Sequence, residues 1–282
     1  MYQSNPGKRI RVGDIEMEYE EHGGGDRPFV LVHGFTGSRD DWKEHLPYLG
    51  KRGRTIAVDQ RGHGGSTNTG DAATYRIEQL AADLAGFLDA VGAPEIDLLG
   101  HSMGGGVALR FVLQYPERVR SLILMDTLAG NIPGDAHKFL AIAAKIAREQ
   151  GMEALYQLTR ANGDGPATPP AVKRLIALDP EGYWARARAK NLAMDPVAFE
   201  ALGTALATTE GVTDRLGEIA CPTTVIVGAE DKPFLKPSET MATRIPGARK
   251  IVIEGGAHCP QVEAPEKWIA AVDAHLDWAR GA

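Results

Sequence analysis

The chain has 282 residues, 43% hydrophobic and 24% charged. That is the make-up of a globular protein able to bury one large core, and it excludes a disordered chain or a disulfide-stapled mini-protein. Lys+Arg number 31 against 37 Asp+Glu, a formal net charge of −6 with no basic run, which argues against a general nucleic-acid binder. Only Cys221 and Cys259 carry thiols, the amino terminus has no apolar leader-like run, and no stretch approaches the ~18 apolar residues of a membrane span. A cytoplasmic protein without disulfides is the expectation.

The chain opens with two alternating runs, 9–12 and 15–20, that meet at Gly13-Asp14 and predict a β-hairpin. Short, continuous apolar runs follow at 29–32, 55–58, 96–99, 121–125, 223–227 and 250–253. Runs without alternation suit strands buried on both faces. Helical patterns at 76–91, 104–115 and 264–278 lie between or after them. This alternation predicts an α/β fold with a mainly parallel eight-stranded sheet and helices on both faces. The 33 glycines fall at the corners without period.

The rhythm stops between 128 and 217. Helical patterns occupy 136–150, 152–161, 171–177, 181–191 and 196–207, separated by Pro166, Pro169, Pro170, Pro180 and Pro196. The expected division is a core of 1–127 and 218–282, with residues 128–217 as a helical lid inserted after the sixth strand.

The sharpest local signal is Gly100-His101-Ser102-Met103-Gly104, placed where an apolar strand turns into a helix. Gly-x-Ser-x-Gly in that setting puts a serine hydroxyl on a strained turn, with flanking glycines that let strand and helix approach. Ser102 is the candidate nucleophile. A serine needs a base, and His258 follows the last strand through Gly255-Gly256-Ala257, at the same end of the sheet. The acid that would orient it is Asp231, after the strand at 223–227; Glu230 and Asp126 are rivals. Asp59, in Asp59-Gln60-Arg61-Gly62-His63-Gly64, reads as a structural turn. Negative charge developing on a carbonyl oxygen calls for waiting donors. The N–H of Met103 supplies one, and the N–H of Phe35 in His33-Gly34-Phe35-Thr36-Gly37 the other. Gly34 and His101 are placed next to the substrate, His101 packed behind the serine. His22, His45, His63, His137 and His275 read as surface or structural positions.

These segments, together with Gly228-Ala229-Glu230-Asp231 and Gly256-Ala257-His258, resemble the α/β-hydrolase superfamily along nearly the whole chain. They look like its capped branch of serine esterases, lactonases and C–C hydrolases. The resemblance implies a Ser102–Asp231–His258 triad, no cofactor, no metal, and a small-molecule ester or lactone as partner, with no membrane or nucleic acid. It departs from the usual pattern at Gly64-Gly65-Ser66 and at Cys259, where a thiol beside the base predicts sensitivity to alkylation. Relatives that open halides or epoxides carry aspartate where this chain has Ser102.

The expected activity is hydrolysis of carboxylic esters of small to medium size through an acyl-enzyme. Lactone or C–C hydrolysis (meta-cleavage or enol-lactone type) with the same triad is the alternative, peroxide-dependent halogenation a side activity, and a non-catalytic receptor the distant reading. Substrate choice is expected to lie in the lid. Its Leu140, Ile142, Ile146, Met152, Leu155, Tyr156, Leu158, Leu175, Tyr183, Trp184 and Phe199 divide between packing and pocket lining. Arg186, Arg188 and Lys190 read chiefly as a solvated helix face, with a substrate carboxylate as the alternative. Cys221 and Cys259 fall at opposite ends of the sheet, too far apart to pair.

Overall fold

The computed structural model describes residues 6–132, 134–163 and 165–281, with backbone alone for 134–137. Eight strands form one sheet: β1 (Lys8–Val12), β2 (Ile15–His22), β3 (Phe29–Val32), β4 (Thr55–Val58), β5 (Ile96–His101), β6 (Val119–Met125), β7 (Thr223–Gly228) and β8 (Arg249–Ile253). Their order is β1-β2-β4-β3-β5-β6-β7-β8. β2 runs antiparallel to β1 and β4, and all other neighbours are parallel. Gly13 makes the hairpin corner at φ +55°, a conformation that costs glycine nothing.

The continuous apolar runs mean what the pattern implied. β3, β4, β5 and β7 are buried at every residue, because successive side chains feed opposite faces. Leu98 of β5 and Leu122 and Leu124 of β6 join one core, with Phe87 and Phe111; Leu99, Ile123 and Met125 join the other, with Trp42 and Trp268. The first face is covered by α2 (Ile77–Ala90), α3 (Met103–Gln114) and α9 (Lys232–Arg244), the second by α1 (Leu46–Arg52) and α11 (Pro265–Arg280).

Between β6 and β7 the described residues carry five α-helices and no strand: α4 (Gly134–Gln150), α5 (Met152–Ala161), α6 (Pro170–Leu178), α7 (Pro180–Leu192) and α8 (Pro196–Thr208). The prolines read as separators open α6, α7 and α8 at their first turns, where a missing N–H costs nothing. Asp179 and Asp195 cap α7 and α8 by accepting from Gly182 N (2.9 Å) and Val197 N (2.8 Å). Asp195 also accepts from Gly70 N (3.0 Å) and Tyr75 Oη (2.5 Å) of the sheet-bearing part. α10 (Pro260–Glu263) follows β8. Both cysteines are free. Among the described residues no helix is long and apolar enough to cross a membrane.

Candidate active site

The site gathers at the carboxyl ends of β3, β5, β6, β7 and β8, where open parallel sheets offer a crevice. Ser102 sits between β5 and α3 with φ +53° and ψ −118°, a strained backbone for a residue with a Cβ. The neighbouring glycines make this turn possible. A Cβ on Gly100 would strike the backbone of Gly104 and Gly105, and one on Gly104 would strike the carbonyls of Val32 and His33. Ser102 N donates to Met125 O (2.9 Å), and Thr127 Oγ1 donates to Ser102 O (2.6 Å). The strain is thus held from both sides.

His258 Nε2 lies 2.9 Å from Ser102 Oγ, and His258 Nδ1 lies 2.7 Å from Asp231 Oδ2. The tautomer that satisfies both bonds carries its proton on Nδ1, donates to the carboxylate and accepts from the serine hydroxyl. Neither rival of Asp231 bonds the imidazole. Glu230 accepts from Ala171 N (2.6 Å) and Arg174 Nη2 (3.2 Å) of α6. Asp126 is fully buried beside the triad, where its Oδ1 accepts from Gly228 N (2.8 Å) and its carboxyl meets that of Asp231. Burial, and then the neighbouring Asp231 charge, push its carboxyl well above the usual range. Ligand-type atoms of Asp126, Asp231 and His258 lie within 4.8 Å of one another. The Asp231–His258 bond brings two of the three together, and Asp126 packs against Asp231.

The loop after β3 turns at Gly34-Phe35-Thr36-Gly37, closed by Gly37 N donating to Gly34 O (3.0 Å) with Thr36 at φ +60°. Gly34 packs so closely on Ser102 that an added Cβ would lie 3.0 Å from the serine's own. The N–H groups of Phe35 and Met103 find no acceptor among the described residues, and Met103 opens α3, where helix N–H groups are unpaired. Met103 directly follows the serine, and Phe35 follows Gly34, which packs on it. Behind the loop, His33 accepts from Gln60 N (3.1 Å) through Nε2 and donates to Gly34 O (2.8 Å) through Nδ1, and burial holds its pKa down.

His101 is buried, and its Nε2 donates to the backbone carbonyl of His258 at 2.7 Å. Burial first, then the nearby His258, lower its pKa to about 3, so it stays neutral. It does not line the cavity beside Ser102; its contact is with the loop that carries His258. The same loop is gripped from the other side by Glu263 of α10, whose Oε2 accepts from Ala257 N and from Cys259 N (3.2 Å). Sequence reasoning missed Glu263; an acid one short turn beyond the His258 loop was its only signal. His45, His63 and His275 are buried and structural: they bond Gln261 O (2.7 Å), Arg61 O (3.0 Å) and Thr224 Oγ1 (2.8 Å). His22 pairs with Glu20 at 2.8 Å, and the side chain of His137 lies outside the described residues.

Two expectations need correction. Lys190 does not belong to a solvated face: it turns inward to Asp41 Oδ1 at 2.6 Å, whereas Arg186 and Arg188 stay on the surface facing Asp179 and Glu153. Cys259, the thiol beside the base, is half-buried and free, and burial pushes its pKa up despite the opposing pull of Lys190, which works against the thiolate that alkylating agents need. Of the lid residues offered as pocket lining, none borders the cavity at Ser102. Met152, Leu155, Tyr156 and Phe199 are buried packing, and the segment borders the cavity through Leu128, Asn131 and Ile132 at its start and Ala205, Leu206 and Thr209 at the end of α8. The Gly64-Gly65-Ser66 departure has a structural cause: a Cβ on Gly65 would collide with the Glu18 carboxylate, which pairs with Arg39 at 2.7 Å. Asp59 is the buried turn residue expected, accepting from Arg39 N (2.7 Å) and Gly65 N (2.9 Å).

A sheet of this order, bearing a serine on a strained elbow and a histidine one sheet position beyond the acid, defines an α/β hydrolase by its architecture. Residues 27–265 match the alpha/beta hydrolase fold family, and the chain belongs to it. The chain is 28% identical over 271 residues to 3-oxoadipate enol-lactonase 2 of Acinetobacter baylyi, covering 94% of each. It is 38% identical over 125 residues to 2-hydroxy-6-oxo-2,4-heptadienoate hydrolase of Pseudomonas putida, a match spanning 43% of this chain and 45% of that enzyme. In structure it is similar to a thermophilic esterase from Thermogutta terrifontis: TM-score 0.84, 30% identity, 96% of this chain and 99% of the other covered.

Proposed function

We propose that the protein is a serine hydrolase that cleaves carboxylic esters with short acyl groups. The observation that carries this reading is the continuous chain Ser102 Oγ–His258 Nε2 and His258 Nδ1–Asp231, at 2.9 and 2.7 Å. In this reading His258 takes the hydroxyl proton as Ser102 attacks the acyl carbon, then delivers it to the leaving alcohol. Asp231 keeps the imidazole in the productive tautomer and stabilises its cation. The N–H groups of Phe35 and Met103 receive the oxyanion. Water then releases the acid by the same route. The cavity at Ser102 measures about 60 Å³, room for about four water-sized groups, which supports a short acyl chain. The segment 128–217 acts as a lid through the end of α8.

The family and the esterase-like architecture support this reading; the names of the relatives favour lactone or C–C bond hydrolysis as the second. Initial rates on p-nitrophenyl esters from acetate to dodecanoate test the first, with Ser102→Ala as control. Serine-dependent turnover that peaks at the short chains is expected. A folded protein that ignores all of them but opens an enol-lactone or a dienol-ketone would move the assignment to the second reading.

A further inference from the structure

The cavity beside Ser102 is walled by apolar side chains, among them Ile77, Ile132, Leu206 and Phe234, yet among the described residues lining it there is one charged group, Arg110. Arg110 lies on α3, two turns beyond the serine, and its side chain folds back toward the helix start. Its Nη1 donates to Gly106 O (3.2 Å), its Nη2 to Glu210 O (2.8 Å) and its Nε to Glu78 Oε1 (2.8 Å). Its side chain has little exposure, 14%, while that of Glu78 stands 56% in solvent. The fork is therefore fixed at the cavity wall by two carbonyls, with Glu78 on the solvent side. Each Nη keeps a second N–H.

Gly106, which the guanidinium reaches, is four residues from Ser102, a rise of about 6 Å along the helix. A fork at that remove from the nucleophile, at the wall of a small cavity and sharing its charge with Glu78 only on the solvent side, has spare N–H groups suited to an anion on the substrate itself. We propose that Arg110 forms a subsite for a substrate carboxylate, and that the preferred esters are half-esters of short dicarboxylic acids. The inference rests on the esterase reading above and narrows its acyl group. In the reaction, Ser102 Oγ bonds to the acyl carbon, the alcohol leaves with the proton carried by His258, and water then frees the dicarboxylate. The distal carboxylate stays on Arg110 throughout. Its affinity belongs to ground state and transition state alike, so it appears in KM before kcat.

Ethyl hydrogen glutarate and ethyl pentanoate share chain length and differ in one carboxylate for one methyl group. Their hydrolysis, followed by titration of released acid, tests the proposal. The native enzyme is expected to favour the glutarate ester about tenfold to a hundredfold in kcat/KM, the range of a charge-assisted hydrogen-bonded pair. Arg110→Met removes that preference, Arg110→Lys keeps part of it, and added salt narrows it in the native enzyme. The native comparison needs no variant to fold. Equal rates on the two esters, or a preference that survives in a folded Arg110→Met protein, overturn the carboxylate subsite and leave the esterase reading intact. Absence of Ser102-dependent turnover on these and on p-nitrophenyl esters overturns both.

Discussion

The loops at the carboxyl edge of the sheet and the helical stretch between β6 and β7 are built on different principles. The edge is tied by backbone. Ser102 N, Gly228 N, Ala257 N and Cys259 N each have one named acceptor, and three non-glycine residues there (Thr36, Ser102 and Asp126) hold positive φ. The helical stretch is tied by amphipathic faces and surface charge pairs. α7 buries none of its residues, Leu178 is 83% exposed, and Arg188–Glu153 and Arg148–Glu200 are open to solvent. Geometry that must hold to tenths of an ångström is secured by hydrogen bonds to main chain; a surface that needs only to cover a cavity is free to vary. In the proposed reading the chemistry belongs to the first region and substrate choice to the meeting line of the two.

If the edge is the seat of chemistry, one atom removed there outweighs any change in the helices. Ser102→Ala is expected to lower kcat by about four to six orders of magnitude while the thermal midpoint stays near native, measured by calorimetry beside the ester assay. Substantial turnover in that variant would break the comparison at its strongest point. Glu263→Ala comes next. It leaves two N–H groups beside His258 without their acceptor, at about 1–3 kcal/mol for a buried donor, and frees the loop. The expected result is a fall in kcat of about tenfold or more with KM little changed. Glu263→Gln, which retains an acceptor oxygen, restores most of it. A loss of stability with unchanged kcat would make Glu263 a purely structural tie.

What could be read from the sequence follows the same division. Gly100, Ser102 and Gly104 announce their turn because almost no other residues fit it, and buried strands announce themselves by unbroken apolar runs. The helices of 128–217 were legible from period and proline, since Pro170, Pro180 and Pro196 start helices as their chemistry requires. Direction was not legible. Nothing in the local pattern tells that Lys190 turns inward while Arg186 and Arg188 stay out, because its partner Asp41 is 149 residues away. Glu263 and Arg110 were missed for the same reason. Their roles lie in contacts to backbone carbonyls and amides that only the fold brings near.

The inward pair is a place where the helical stretch borrows the logic of the edge. Asp41 accepts from Ser38 N (3.2 Å) at the end of the loop that carries Phe35, so Lys190 ties α7 to that loop. Burial opposes both charges, yet Asp41 raises the Lys190 pKa and Lys190 lowers that of Asp41. The depressed carboxyl contributes stability that is lost as pH falls through its folded value. The raised ammonium contributes stability that is lost as pH rises through its own. Lys190→Met should therefore flatten both ends of the stability–pH curve. It should cost an amount between the about 1 kcal/mol of an exposed pair and the about 3–5 kcal/mol of a fully buried one. Denaturant titrations across pH measure it. An unchanged curve would return α7 to the surface-held class.

The smallest expected effect concerns Asp126, and it tests how the edge tolerates a second buried carboxyl. Its folded pKa is raised by burial and by Asp231, so the folded state binds a proton that the unfolded chain gives up at lower pH. Stability is then full below the unfolded value and declines as pH rises toward the folded one. Asp126→Asn keeps an oxygen for Gly228 N and offers a permanent N–H toward Asp231, so it mimics the protonated acid at every pH. The thermal midpoint of the variant should equal that of the native protein in acid and exceed it by a few degrees in neutral buffer, with kcat little altered. If the native midpoint shows no decline that the variant removes, Asp126 is ionised in the fold. The two carboxylates would then have to be held apart by something other than a proton.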